Sequence, residues 1–193
     1  MNEKEIFDKF IEARALLEGH FVLSSGLHSA KYIQCARVMM FPEIASQLCG
    51  QLAKMISQKF ETIDMIISPA MGGVIVGYEV ARQLKCPAVF FERVEGNFQL
   101  RRGFEIENGQ RCVMVEDIVT TGLSSRECIA AINHNGGKVI GAACLIDRSS
   151  GFADVGVDLV SLAQMQIDTY KESEIPDWLN ALPITKPGSR NLK

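Results

Sequence analysis

The sequence predicts an α/β fold: a parallel sheet with helices packed on it. Three observations lead there. Five short, nearly continuous apolar runs follow one another after residue 60: "IDMIIS" (63–68), "PAVFFE" (87–92), "CVMVE" (112–116), "VIGAACLID" (139–147) and "VDLVSLAQM" (157–165). Unbroken apolar runs of this length fit parallel strands buried on both faces. Segments of helical character lie between some of them, at about 73–84 and 123–134, and supply the crossovers that parallel strands require. Finally, 193 residues with 47% hydrophobic and 22% charged composition fit one soluble globular domain with a substantial core.

The elements follow in order. Asn2 with Glu5 three positions later forms a capping pair ahead of an amphipathic helix, with Ile6, Phe10, Ala13 and Leu17 on one stripe and Gly19 as its stop. The segment "HFVLSSGLHSAKYIQCARVMM" has strand-like pieces but is too rich in Ser, Gly and His to be core. A second helix is expected from about Pro42 to Phe60, where Ile44, Leu48, Leu52, Met55 and Ile56 keep helical spacing and proline suits the first turn. The expected organisation is a single domain over 1–193, with a core at about 41–165 and an accessory layer made of the first forty or so residues and the C-terminal tail.

Composition also excludes classes. A net charge of −3 argues against non-specific nucleic-acid binding. No apolar run approaches the ~20 residues of a membrane span. The opening "MNEKEIFDKF" has no apolar leader core, which points to the cytoplasm. Six cysteines form no C-x-x-C pair and lie mostly in apolar segments, so they read as reduced core thiols.

Two strand-to-helix turns carry the chemistry. Parallel strands bring their carboxyl ends to one edge, and ligands bind outside that edge. "SPAMGG" (68–73) lets backbone amides of Met71, Gly72 and Gly73 approach a ligand at a helix N-terminus. The second turn follows the adjacent acids Glu116 and Asp117: the run Ile118, Val119, Thr120, Thr121, Gly122, Leu123, Ser124 ends in hydroxyls and free amides at the next helix. Carboxylates repel a phosphate but accept hydrogen bonds from a vicinal diol. The ligand therefore reads as a diol beside a phosphate, with a second anion across the crevice. A ribose 5-phosphate bearing pyrophosphate fits, with Mg²⁺ as counter-ion held mainly by the ligand's own phosphates and hydroxyls. No G-x-x-x-x-G-K-[ST] and no G-x-G-x-x-G occurs, which argues against Walker-type and Rossmann nucleotide sites.

"VMVEDIVTTGLS" resembles the phosphoribosyl-pyrophosphate signature of the type I phosphoribosyltransferase family. "GHFVLSSGLHSAKYIQCARV", "FFERVEGNFQLRRGFEI" (90–106) and "LIDRSSG" (145–151) resemble, in the same order, the N-terminal segment, mobile catalytic loop and base-binding turn of its orotate-using members. The resemblance implies transfer of a phosphoribosyl group from phosphoribosyl pyrophosphate to orotate in pyrimidine nucleotide synthesis, by a homodimer with shared sites. It implies that Glu116 and Asp117 hold the ribose hydroxyls and that Thr120–Ser124 hold the 5-phosphate. Thr120, Arg148, Tyr32 and Ile33 would meet orotate, and a planar guanidinium at Arg148 suits its carboxylate. Ala70–Met71 matches a position that is often a cis non-proline bond in the family. Arg93, Arg101, Arg102 and Asp117 are the expected catalytic set, with Lys31 in reserve and residues 94–110 as a lid. The chain departs from the family at Ser24, Gly72 and Asn97, where many members carry lysine, and at Leu123, where glycine is common. A purine or uracil phosphoribosyltransferase and a phosphoribosyl-pyrophosphate-sensing regulator are the alternatives.

Overall fold

A computed structural model describes residues 1–23 and 25–186; Ser24 and the end of the expected C-terminal tail lie outside the described residues. Helix α1 (Glu3–Glu12) opens with the capping box: the Asn2 side chain accepts from the Glu5 amide and the Glu5 carboxylate accepts from the Asn2 amide. Ile6 and Phe10 are buried on its inner face. The helix ends earlier than its apolar stripe predicts. Ala13 caps it, Arg14 turns into the left-handed region at φ 50°, and Leu17 and Gly19 belong to strand β1 (Leu16–Val22). The stop is a backbone reversal at arginine, which carries no glycine signal.

Strand β1 pairs antiparallel with β2 (His28–Ile33). Their sheet is completed by β10 (Ile184–Thr185), parallel to β1, and β9 (Thr169–Tyr170), antiparallel to β2. Contrary to the compositional reading, this segment contributes buried polar residues: His20, His28 and Ser29 are all buried. They are tolerated because they bond each other or the backbone. His20 Nε2 and His28 Nδ1 lie 2.6 Å apart, and the Ser29 hydroxyl donates toward the carbonyls of Lys31 and Asp168.

After the short α2 (Cys35–Met39), α3 (Pro42–Lys59) has Pro42 in its first turn. Ile44, Leu48, Leu52 and Ile56 recur at helical spacing and are buried. Each such side chain contributes roughly 1.5–3 kcal/mol on leaving water.

The six-stranded sheet has the order β5-β4-β3-β6-β7-β8. Its strands are β3 (Met65–Pro69), β4 (Ala88–Val94), β5 (Asn97–Leu100), β6 (Arg111–Val119), β7 (Lys138–Asp147) and β8 (Leu159–Gln164). All neighbours are parallel except β4 and β5, an antiparallel edge hairpin turned by Glu95 and Gly96, both at positive φ. Helix α4 (Gly72–Leu84) carries the chain from β3 to β4, and α5 (Leu123–His134) carries it from β6 to β7. The two crossovers run in opposite directions from the β3–β6 pair. That pair is therefore the topological switch point, where a crevice opens at the carboxyl ends of the strands.

The cysteines are free thiols, five buried and Cys86 partly so, as composition predicts. Among the described residues no helix is long and apolar enough to cross a membrane.

Candidate active site at the switch point

Both predicted turns flank the crevice. After β3 the Ala70–Met71 peptide is cis, and α4 begins at Gly72. A Cβ at Gly72 would lie 2.7 Å from both Asp117 carboxylate oxygens, so the bare glycine is what lets Asp117 approach the N-terminus of α4. A Cβ at Gly73 would meet the Val115 carbonyl at 3.1 Å, which brings the helix tight against β6. Met71, between the cis bond and the first residue of α4, is 84% exposed.

Strand β6 runs further than its apolar run. It includes Glu116 and Asp117 and ends at Val119, with Glu116 opposite Cys144 and Val119 opposite Asp147 on β7. Ile118 and Val119 are thus sheet residues whose side chains pack against the core. The acids are a buried strand end. Burial pushes the Glu116 carboxyl up from 4.5 to about 7, opposed by its bond from the Ser125 hydroxyl and reinforced by Asp117. Asp117 is also raised by burial, with its own amide and that of Ile118 acting the other way.

The turn beyond is built to receive an anion. Thr120, Thr121, Leu123 and Ser124 are exposed, while Gly122 is buried at φ 75° and leaves α5 without a side-chain cap. The first amides of α5 therefore face the crevice, where helix polarity favours negative charge.

Arg148 follows β7. Its amide donates to the Val119 carbonyl at 2.8 Å, and its buried Nε has no hydrogen-bond partner. Burial lowers its pKa, and the nearby Tyr32 and Cys35 counteract this. Tyr32 in turn is raised by burial, and it lies within the field of Cys35, Arg148 and Asp117. The four-stranded sheet thus brings Tyr32 to the same crevice. Ile33, its neighbour, is 5% exposed and packs in the core.

Asp147 was missed. It is 1% exposed and gathers the Ser149 amide and hydroxyl and the Gly151 amide at 2.6–2.9 Å, which folds 147–151 into the turn carrying Arg148. The signal was present: an aspartate ahead of Ser-Ser-Gly is an Asx-turn pattern. Asp147 and Arg148 do not pair with each other.

The arginines of the expected loop divide. Arg93 donates to the Gly96 carbonyl and to Glu127 of α5, and lies 4.1 Å from the Phe98 ring centroid. In the structure it ties the β4–β5 hairpin to α5. Arg101 and Arg102 both reach Glu92 and remain exposed. Part of the expected lid over 94–110 is anchored in this structure. Phe98, Leu100, Phe104 and Ile106 pack on the core, and Gly109 donates to the Gly136 carbonyl at 2.7 Å. The Glu95–Gly96 turn and Arg101–Gly103 project from this anchored frame. Asn97, one of the positions without lysine, is exposed in β5, as is Lys31 in β2.

A parallel sheet whose switch point presents a buried acid pair between two amide-lined turns is the arrangement of a phosphoribosyl transferase domain, and that family matches residues 42–169. Relatives from Parvibaculum lavamentivorans and Caulobacter vibrioides, both orotate phosphoribosyltransferases, are 54% and 53% identical over 193 residues, covering 100% of this chain and 100% of each relative. The crystal structure of orotate phosphoribosyltransferase from Aeropyrum pernix superposes with a TM-score of 0.71 at 28% identity, covering 82% of this chain and 92% of that one. The chain belongs to the phosphoribosyl transferase domain family, among its orotate phosphoribosyltransferases.

Proposed function

We propose that this protein transfers the 5-phosphoribosyl group of phosphoribosyl pyrophosphate to orotate, releasing pyrophosphate and orotidine 5′-monophosphate for pyrimidine nucleotide synthesis. The observation that carries the reading is Arg148: a half-buried guanidinium with an unpartnered Nε, beside Tyr32 and across from the acid pair. An acceptor with a carboxylate satisfies it; adenine, hypoxanthine and uracil have none.

In this reading Glu116 and Asp117 accept hydrogen bonds from the ribose hydroxyls, and the Thr120–Ser124 turn holds the 5-phosphate. The amides of Met71–Gly73 receive the pyrophosphate. Thr120 and the Tyr32 ring flank the base. No cluster of three or more His, Cys, Asp or Glu side chains forms among the described residues. An Mg²⁺ carried by the substrate's pyrophosphate and hydroxyls would offset the charge of the leaving group. The reaction breaks the bond between ribose C1 and the pyrophosphate oxygen, which keeps the electron pair, and joins C1 to a ring nitrogen of orotate, whose N–H proton leaves with the released pyrophosphate or to solvent. No protein nucleophile is needed, so the chain's contribution is positioning, exclusion of water and stabilisation of developing charge.

Arg101 and Arg102 are the groups free to swing from Glu92 onto the pyrophosphate. Purified Arg101→Ala and Arg102→Ala are each expected to lose about tenfold or more in turnover, the scale of a charged hydrogen bond; unchanged turnover in both removes the loop arginines from the scheme. A homodimer completing its sites across subunits is part of the proposal. The apolar stripe of Met71, Ile75 and Tyr78, 55–84% exposed along α4, supports it. A cytoplasmic location goes with soluble anionic substrates.

The acid pair gives a pH dependence. Because Glu116 is raised from 4.5 to about 7, its contribution to the stability of the unliganded protein is full below about 4.5 and is lost as pH rises through about 7. Hydrogen-bond acceptance from a diol has the opposite preference, since it needs the ionised form. Affinity for phosphoribosyl pyrophosphate should therefore rise with pH across about 6 to 8, and Glu116→Gln should flatten that rise; calorimetric titrations over the range read both. The function itself is tested by the fall in orotate absorbance on adding phosphoribosyl pyrophosphate and Mg²⁺, with adenine, hypoxanthine and uracil as competing acceptors. No change with orotate, or a faster reaction with another base, rejects the assignment.

A further inference from the structure

Ser125 is the third residue of α5, immediately behind the Thr120–Ser124 turn, yet its side chain faces inward at 1% exposure. Its hydroxyl is bonded to Oε1 of Glu116, itself 5% exposed. One residue thus belongs to two subsites: its amide lies in the first turn of the helix that faces the phosphate, and its hydroxyl holds the acid that faces the diol. We propose that Ser125 is a positioning residue for phosphoribosyl pyrophosphate, fixing one oxygen of Glu116 so that the other meets the ribose hydroxyls and keeping that acid available in ionised form. The inference deepens the transfer reading and rests on it for the identity of the ligand.

Other groups around Glu116 make the serine necessary. Asp117, its neighbour on β6, opposes ionisation, and Cys128 of α5 and Cys144 of β7 lie within its field as neutral thiols raised by burial. Among the described residues no cation acts on Glu116 itself; Arg93 on the β4–β5 hairpin acts at Cys128 and is tied to Glu127 and Gly96. On the other side of β6, strand β3 sets the apolar Met65, Ile66 and Ile67 opposite Cys112, Val113 and Met114, the residues leading up to Glu116. Among these groups the Ser125 hydroxyl is the one that favours the carboxylate. Its two lone pairs and single proton also let it partner Glu116 in either protonation state, donating to the carboxylate and accepting from the acid.

The test is calorimetric binding of phosphoribosyl pyrophosphate with Mg²⁺ from pH 5.5 to 9, read alongside turnover. Ser125→Ala should weaken binding about tenfold at pH 7, on the scale of one hydrogen bond to a charged group. Its acid limb should move upward by about one pH unit, the equivalent of that tenfold change, so that the deficit shrinks at high pH. Ser125→Cys, which fills nearly the same volume with a weaker donor, should move the limb in the same direction and guards against collapse of the alanine variant. Ser125→Thr, which keeps the hydroxyl, should restore the original limb. In a Glu116→Gln background the alanine change should add little, because the two act as one unit. An unshifted limb in both the alanine and cysteine variants overturns the inference, as does an undiminished effect in the Glu116→Gln background. Because the readout is binding, an unaltered protein that binds the sugar but consumes no orotate defeats the transfer reading and leaves the Ser125 experiment decidable.

Discussion

Arg148→Ala is expected to lower kcat/KM for orotate by about three orders of magnitude while leaving the affinity for phosphoribosyl pyrophosphate within about twofold, the range for removing one partner of a buried, hydrogen-bonded charge pair. The split follows from the site. The Arg148 guanidinium is half-buried with its Nε unpartnered, and it faces Tyr32 from the four-stranded sheet. The adjacent carboxylate does not pair with it, because Asp147 is occupied by Ser149 and Gly151. A carboxylate arriving on the substrate therefore meets a cation already partly stripped of water and not engaged by Asp147, which raises the value of the contact. Arg148→Lys should recover little, since an ammonium cannot present two parallel N–H donors to one carboxylate. Initial rates over a range of orotate concentrations, with calorimetry of the sugar substrate alone, separate the terms. Loss of affinity for the sugar instead would move Arg148 to the pyrophosphate.

Gly122→Ala carries the second large effect, on the other substrate. At φ 75° the residue is in the left-handed region, and a Cβ there would lie 2.7 Å from the Asp154 carbonyl oxygen and 3.2 Å from its carbon. Both neighbours are main chain, so no side-chain rotation relieves the contact. Either the 120–124 turn or the 154–156 segment must move, and the turn is what presents the amides of α5. Binding of phosphoribosyl pyrophosphate should weaken about a hundredfold, from the left-handed cost of roughly 1–2 kcal/mol plus the displaced amides. Gly96→Ala supplies the control: it has φ +86° but nothing within 4 Å of its added Cβ. It should cost stability without the binding loss. Equal binding losses in both variants would mean that strain, not the geometry of this turn, sets affinity.

The sequence made the central sheet legible for a physical reason. Strands covered on both faces must be apolar throughout, so β3, β6 and β7 announced themselves, as did α3 and its buried stripe. Elements held by less general forces did not. The edge strand β5, "NFQL", has half of its residues turned to solvent and follows a charged turn, so it resembled loop. The end of α1 is a left-handed arginine, where composition pointed to Gly19. His20, His28 and Ser29 looked too polar for an interior; the two histidines bond each other through one nitrogen each, and the Ser29 hydroxyl bonds the backbone, while His20 Nδ1 is buried without a partner. At the site, Glu116, Asp117 and the amide-rich turns were readable from charge and glycine placement alone. The division of labour among Arg93, Arg101 and Arg102 was not, because it depends on which acids the fold brings near: Glu127 for the first and Glu92 for the others. Asp147 was hidden for a related reason. Its role is to shape a turn around a neighbour, and a charge beside a charge reads first as an ion pair.

The most direct test of the account is a crystal structure of the protein with phosphoribosyl pyrophosphate and Mg²⁺ bound. The ribose 2- and 3-hydroxyls should donate to Glu116 and Asp117, with the 5-phosphate within hydrogen-bond distance of the amides and hydroxyls of Thr120–Ser124. A phosphate seated at Met71–Gly73 alone, with the Thr120–Ser124 turn empty or the two carboxylates turned from the sugar, would contradict it.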